Sequence, residues 1–299
     1  MIITIASGKG GTGKTTIAIN LAQSIARSFQ GQPQNPTWLL DCDVEEPNAA
    51  LFLKPVFTEE QQVIRLLPSI DPAICTGCGR CAEVCVYHAI AVAAGKVLFF
   101  KDLCHACGSC TLNCPENAIS EVPEQIGVLQ QGSSGPLRFA HGTLEVGFSS
   151  PVPVIRDLKK WVLGNSEATT YILDASPGTT CPVVEALQGA DFALLVTEPT
   201  PFGLHDLELV VQLAKDALKL PCGVVINKSG RRDAIIEDFC QKRDIPILMR
   251  LPLSRRIAEA YARGSLLIDA FPEYGESFLN CHEGIMKILG AGKNGGRHE

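Results

Sequence analysis

Short apolar runs that end on a polar residue alternate with stretches of helical period along most of this chain. Residues 2–6 read as a strand, and after them Ile17, Leu21, Ile25 and Phe29 fall at i, i+4, i+8 and i+12 on one face of a predicted helix. Trp38-Leu39-Leu40 runs into Asp41, Tyr171-Ile172-Leu173 into Asp174, residues 192–197 into Glu198, and Val224-Val225-Ile226 into Asn227. Such runs predict parallel strands buried on both faces, with the polar residues at their carboxyl ends, where open α/β sheets bind ligands. From Leu67 to Val122 the alternation gives way to a cysteine-rich stretch, and then it resumes. The pattern predicts an α/β domain over 1–66 and 123–299, interrupted by an insert at 67–122. Near the end, Ser277 to Leu289 predicts an amphipathic helix and 290–299 a short polar tail.

Between the first strand and the first helix lies Gly8-Lys9-Gly10-Gly11-Thr12-Gly13-Lys14-Thr15-Thr16, which satisfies G-x-x-x-x-G-K-[ST]. Glycines there let backbone N–H groups converge on phosphate oxygens, and the helix that follows adds the positive end of its dipole. The motif assigns Gly8, Gly10, Gly11, Thr12 and Gly13 to a phosphate cradle, Lys14 to the β/γ-phosphates, Thr15 to Mg²⁺ and Thr16 to the α-phosphate. A glycine turn without function is the alternative, and the flanking strand and helix favour the nucleotide.

The insert carries two cysteine ladders. Cys75-x2-Cys78-x2-Cys81-x3-Cys85 recurs 29 residues later as Cys104-x2-Cys107-x2-Cys110-x3-Cys114, and Ala89-Ile90 is answered by Ala118-Ile119, so the segment reads as a duplicated half-domain. The spacing is similar to that of bacterial ferredoxins, in which three thiolates of one ladder and the fourth of the other hold each [4Fe–4S] cluster. That resemblance implies one cluster on Cys75, Cys78, Cys81 and Cys114, and a second on Cys104, Cys107, Cys110 and Cys85. Pro115 follows the second ladder as in that pattern, whereas Val86 stands in the corresponding place after the first. Zinc is the rival for paired CxxC elements. Disulfides are disfavoured, because the chain opens on a strand pattern with no secretory n-region, and a reducing cytoplasm is the expected location.

The string Lys9 to Thr15 resembles the deviant Walker A loop of the MinD/ParA/Mrp group of P-loop ATPases, to which the nitrogenase iron protein is also similar. The resemblance implies a parallel-sheet P-loop NTPase fold of the SIMIBI type, with a bacterial-ferredoxin-like α+β insert. It also implies an ATP-dependent dimer, either a homodimer or a heterodimer with a paralogous ATPase, in which Lys9 reaches the other subunit's nucleotide. Asp41-Cys42-Asp43-Val44-Glu45-Glu46-Pro47-Asn48 resembles switch I, with Asp43 orienting the attacking water, Asp41 on the Mg²⁺ side and Asn48 near the nucleotide. Without the loop, these carboxylates would read as a solvated turn or a helix cap. Asp174-Ala175-Ser176-Pro177-Gly178-Thr179 resembles the switch II pattern DxPPGT. By that likeness Asp174 holds Mg²⁺ through water, the Gly178 amide senses the γ-phosphate, and Ser176 replaces the first proline. Asn227-Lys228 resembles a base-recognition element. Gly230 stands where an aspartate would read guanine, so adenine is expected.

The resemblance covers nearly the whole chain and is closest to MinD-superfamily ATPases with an inserted ferredoxin domain. The stretch from Glu198 to Leu207 also looks like that subgroup, with no chemical role for His205. Cys181 lies seven residues after Asp174, the offset at which the nitrogenase iron protein places a thiolate of its bridging cluster. No second cysteine lies between Cys114 and Asp174, so a cluster of that kind is not expected. The missing C-terminal CxxC separates the chain from Mrp-type iron–sulfur carriers. Cys222, Cys240 and Cys281 read as small buried apolar residues.

Composition narrows the choice of function. With 299 residues and 46% hydrophobic content the chain can build one large core plus the insert. A net charge of −6 argues against nonspecific nucleic-acid binding. No apolar run approaches the ~20 residues of a membrane span, and no direct membrane anchor is expected. Three classes stand: an ATPase that drives electrons to a redox partner, an iron–sulfur assembly or delivery factor, and a MinD-like spatial ATPase with a redox-sensing insert.

Overall fold

Eleven strands organise the described residues of this computed structural model, which are 1–30, 36–148, 150–165 and 170–295. They are β1 (Ile2–Ala6), β2 (Thr37–Asp41), β3 (Val56–Ile70), β4 (Ile90–Ala93), β5 (Lys96–Phe99), β6 (Ile119–Ser134), β7 (Leu137–Leu144), β8 (Thr170–Asp174), β9 (Phe192–Thr197), β10 (Cys222–Ser229) and β11 (Ile247–Pro252). Nine form one sheet in the order β11-β10-β9-β1-β8-β2-β7-β6-β3. Every pairing from β11 to β7 is parallel.

Alternation along these strands sorts side chains into two apolar layers. Ile3, Ile5 and Leu39 face the helices Lys14–Ser28 and Glu273–Gly295, whereas Ala6, Leu40 and Leu173 face Val152–Asn165, Cys181–Leu187 and Pro201–Val211. Both sheet faces are therefore covered, as a parallel sheet requires. The helix Glu273–Gly295 is longer than its apolar period indicates. It opens directly after Pro272, with Glu273 and Glu276 in its first turn where the helix dipole favours negative charge. The last four residues of the expected polar tail lie outside the described residues.

The sheet is mostly parallel, as expected, and turns antiparallel at one edge. β6 pairs antiparallel with β7 through a turn at Gly135, and β3 pairs antiparallel with β6 over nearly its whole length. β6 and β7 are joined by too few residues for the crossover that parallel strands need. The paired strands β3 and β6 run on beyond the body as a two-stranded arm. At its end sits the segment 71–118, between the end of β3 at Ile70 and the start of β6 at Ile119. This segment holds the β4–β5 hairpin and the short helices Arg80–Glu83 and Ser109–Leu112, and its Cys81 and Ile90 form a small apolar nucleus with Ile119 of β6.

Candidate functional site

The loop after β1 turns into the helix Lys14–Ser28 at Gly13, whose φ of 89° belongs to the left-handed region that favours glycine. A Cβ on Gly13 would stand 2.2 Å from Asn227 Nδ2, and one on Gly8 would stand 2.2 Å from the Asp206 carbonyl oxygen. The loop is thus pressed between β10 and the helix Pro201–Val211. No side chain caps the helix at Gly13, so its first-turn N–H groups are left for a ligand. A cleft of about 460 Å³ opens over them, lined by residues 9–16 of the loop and helix start.

Asp43, Asn48 and Pro177 reach the same cleft, so both segments that resemble switches border it. Beneath it lies a buried charge cluster. Lys14 Nζ donates to Asp174 Oδ1 at 2.7 Å, with both side chains nearly inaccessible. Burial works against the Lys14 charge, but Asp174, followed by Asp41 and Asp43, outweighs it and raises the ammonium pKa. Asp41 accepts from Asp43 N at 3.1 Å and from Ala49 N at 3.0 Å. Burial, then the Asp174 charge, pushes the Asp41 carboxyl up to about 7. Burial also lifts Asp43 above its ordinary value, with Lys14 opposing.

Three carboxylates thus share one ammonium, and Asp174 Oδ2 and Thr12 Oγ1 are buried without a hydrogen-bond partner. This donor set fits Mg²⁺ with a nucleotide, since a divalent cation would offset the surplus negative charge and give the orphaned oxygens partners. Thr15, Asp41 and Asp174 are the residues that would hold it. Gly8, Asp41, Asp174 and Gly178 are not among the cleft's lining residues. Gly178 N donates to Ser7 O at 2.9 Å, so contact with a phosphate would require it to change partner. Lys9 Nζ lies 3.9 Å from Asp206 Oδ2 of its own chain.

Asn227 sits under the loop, with Nδ2 donating to Thr12 O at 2.7 Å and Oδ1 accepting from Lys228 N at 2.9 Å. Lys228 donates to Glu198 Oε1 at 2.5 Å and reaches Gly11 O at 3.4 Å. Glu198, whose strand-end position was legible without a role, therefore holds the lysine that braces the loop. Sequence reasoning missed the far wall of the cleft, where Leu253, Ser254 and Ile257 follow β11, and the rings of Phe52 and Tyr261 approach to 4.9 Å. Their only sequence signal is a polar residue after an apolar run. His205 stands exposed on its helix.

In the segment 71–118 the eight ladder cysteines divide between two small cavities. Cys75, Cys78, Cys81 and Cys114 line one, and Cys85, Cys104, Cys107 and Cys110 line the other. The halves share backbone conformation 29 residues apart: φ is positive at Gly77 and Ala106, at Gly79 and Gly108, and at His88 and Asn117. Backbone N–H groups of Ala89, Ala106 and Ala118 donate to the sulfurs of Cys85, Cys104 and Cys114 at 3.3, 3.4 and 3.3 Å. Burial pushes the Cys81, Cys104 and Cys110 thiols up, while the Ser109 N–H holds Cys107 down. Among the described residues, no group of three or more His, Cys, Asp or Glu side chains is set to hold a metal ion.

The cavity lips differ. Tyr87 and His105 stack at 3.8 Å beside the second set, whereas their counterparts Glu116 and Thr76 make a 3.5 Å hydrogen bond beside the first. The other cysteines fall outside both sets. Cys42, Cys222, Cys240 and Cys281 are buried, with burial pushing Cys240 up to about 11 and Cys281 up to about 12. Cys181 is exposed at the first residue of its helix.

A glycine loop between a central strand and a helix, with carboxylates ending the neighbouring strands beneath the cleft, defines a P-loop nucleotide-binding protein. The family described as the CobQ/CobB/MinD/ParA nucleotide binding domain matches residues 3–268, and the chain belongs to that family. It is 30% identical to Uncharacterized protein MJ0579 of Methanocaldococcus jannaschii, over 92% of this chain and 93% of that one. It is also 30% identical to Uncharacterized protein MJ0578 of the same organism, over 97% and 98%. Among solved structures it shares its fold with the septum site-determining protein MinD of Pyrococcus horikoshii complexed with Mg-ADP. That match has a TM-score of 0.58 at 19% identity and covers 97% of each chain. A chain of the MinC:MinD cell division protein complex of Aquifex aeolicus matches with a TM-score of 0.57 at 16% identity, over 96% of this chain and 95% of that one. No helix among the described residues is long and apolar enough to cross a membrane.

Proposed function

We propose that this chain is a Mg²⁺-ATP-dependent, dimer-forming ATPase that carries two [4Fe–4S] clusters and couples nucleotide turnover to electron transfer to a partner protein. The observation that carries the redox half is the interleaving of the cysteines. Each cavity takes three thiols from one ladder and the fourth from the other, amid backbone N–H donors and an apolar nucleus. The clusters supply one-electron storage. The chain supplies thiolate ligands, N–H groups that stabilise negative sulfur, and partial shielding from water. Zinc bound by the same thiols is the competing occupant.

For the nucleotide half, the Lys14–Asp174 pair holds the lysine buried in advance of a phosphate, and Asp43 borders the cleft where an attacking water would stand. Lys9, held near Asp206 in the single chain, is the residue we assign to the opposite active site of a dimer. Two relatives of nearly full length in one organism support a partner that is either a second copy or a paralogue. The MinC:MinD complex supports a protein partner for this fold. Likeness to MinD also favours a second reading, a spatial ATPase in which the cysteine segment senses redox state.

The test is the midpoint potential of the iron–sulfur signals in anaerobically purified protein, with Mg-ADP and with a non-hydrolysable ATP analogue. Coupling requires a shift of ~59 mV per electron for each tenfold difference in relative nucleotide affinity. Equal potentials would leave ATP without energetic hold on the clusters and overturn the transducer. Zinc in place of iron would overturn the redox half altogether.

A further inference from the structure

We infer that residues Leu144–Phe148, which start at the last residue of β7, relay the state of the nucleotide cleft to the cysteine-bearing segment. Three contacts converge there. Leu144 N donates to Val44 O at 2.8 Å, tying the relay to the segment between Asp43 and Asn48. Glu145 N donates to Ile126 O at 2.9 Å, tying it to the base of the arm. Phe148 presents its ring to Lys101 of the cysteine segment, with Nζ 4.7 Å from the ring centre. Lys101 also donates to Glu124 on β6, so one ammonium links arm, segment and relay.

The arm is built to turn where the relay touches it. Val63 pairs with Gly127 but Ile64 with Gln125, which leaves Ile126 as the extra residue of a β-bulge. β6 pairs with β7 no further than Gly127, so past the bulge the arm is a two-stranded ribbon. Arg65, the next residue but one on β3, fastens that ribbon to the helix Val152–Asn165 by donating to Asp157 Oδ2 at 2.9 Å and Pro153 O at 3.1 Å. At the other end of the relay, Val44 is fully buried in the core that contains Val63, Ile126 and Leu129. A Cβ on Gly142 would stand 3.0 Å from its side chain. Val44 therefore cannot shift alone. Asp43 and Asn48 flank it and border the cleft, so a phosphate-driven movement of either displaces Val44 O, and with it Leu144, the bulge and the Lys101 strut.

The inference rests on nucleotide binding at this cleft and not on which group the cysteines hold. Hydrogen exchange of the full chain, with Mg-ADP and with a non-hydrolysable ATP analogue, tests it. In the wild type, exchange in residues 64–70 and 119–126 is expected to differ about fivefold or more between the two nucleotides. Phe148→Ala removes the ring without touching the cleft, and Lys101→Met removes the cation should the first variant fold poorly. Either is expected to abolish the difference in the arm and keep nucleotide protection of residues 8–16. Protection of 8–16 with a silent arm in the wild type overturns the relay and leaves the nucleotide site standing. An arm response that persists in both variants overturns the relay as well. No protection of 8–16 by either nucleotide overturns the nucleotide site and the relay with it.

Discussion

Asp41→Asn separates two effects that the fold superimposes. The carboxyl is buried, and burial together with Asp174 pushes it up to about 7 from an ordinary 3.8. The folded chain then keeps a proton that the unfolded chain releases, so this group lowers stability as pH rises from about 4 to about 7. A displacement of about 3 units, at ~1.4 kcal/mol each, bounds the loss at about 4 kcal/mol. Asparagine cannot ionise, so the variant lacks that slope. It has a different cost. The carboxyl accepts from Asp43 N and Ala49 N on separate oxygens, and an amide offers only one, which leaves a buried N–H unmatched at about 1–3 kcal/mol. The expected result is a variant less stable than wild type near pH 5, with the gap closing or reversing by at most about 4 kcal/mol near pH 8.

His141 and His282 act in the opposite sense, because burial lowers their pKa and stability is lost as pH falls through their titration. Both proteins carry them, so the difference between the two curves isolates Asp41. The assay is denaturant unfolding across that pH range, in chelator and without nucleotide. A difference between variant and wild type that stays constant with pH would refute the reasoning, because it would mean Asp41 is ionised in the fold throughout.

Gly13→Ala places a side chain at φ 89° and against Asn227, at about 1–2 kcal/mol for the left-handed backbone and about 1 more for the displaced Asn227–Thr12 bond. Unfolding and nucleotide titration should both register it, and unchanged nucleotide affinity would count against the loop. Asp43→Ala should abolish ATP turnover while nucleotide binding, followed by titration calorimetry, stays close to wild type; normal turnover would remove Asp43 from its role. Cys114→Ser and Cys85→Ser should each lower iron and labile sulfide by about half and leave different spectroscopic signals, since each residue lines a different cavity. The interleaved assignment fails if serine at Cys114 spares the set of Cys75, Cys78 and Cys81.

What could be read from the sequence was what is buried on both faces. β1, β2, β8, β9 and β10 are apolar runs because helices cover them on either side; the loop after β1 and Asn227 of β10 reach the cleft, while Asp41 and Asp174 end their strands beneath it. β3 and β6 escaped notice because stretches such as Glu59-Glu60-Gln61-Gln62 and Gln130-Gln131 belong to a half-solvated sheet edge, where charged and amide side chains cost little. Arg65, Lys101 and Phe148 were illegible for another reason. Each acquires its role from a neighbour distant in sequence, as Lys101 does over Phe148 and Arg65 with Asp157.

The cysteine segment was legible for the opposite reason, since its repeat carries an internal comparison. At the third position of each ladder Gly77 and Ala106 adopt φ of 70° and 51°. Glycine does so freely, whereas alanine there costs roughly 1–2 kcal/mol. His88 and Asn117 repeat the pattern at 53° and 51°. A backbone that keeps left-handed turns at non-glycine residues in both halves is held by more than local preference. Each turn belongs to a stretch whose N–H groups meet cysteine sulfur: Ala106 donates to Cys104, and Ala89 and Ala118, directly after His88 and Asn117, donate to Cys85 and Cys114. The strain is local and the N–H contacts to sulfur offset it, so the two halves keep one geometry while their lips diverge into an aromatic stack and a polar pair.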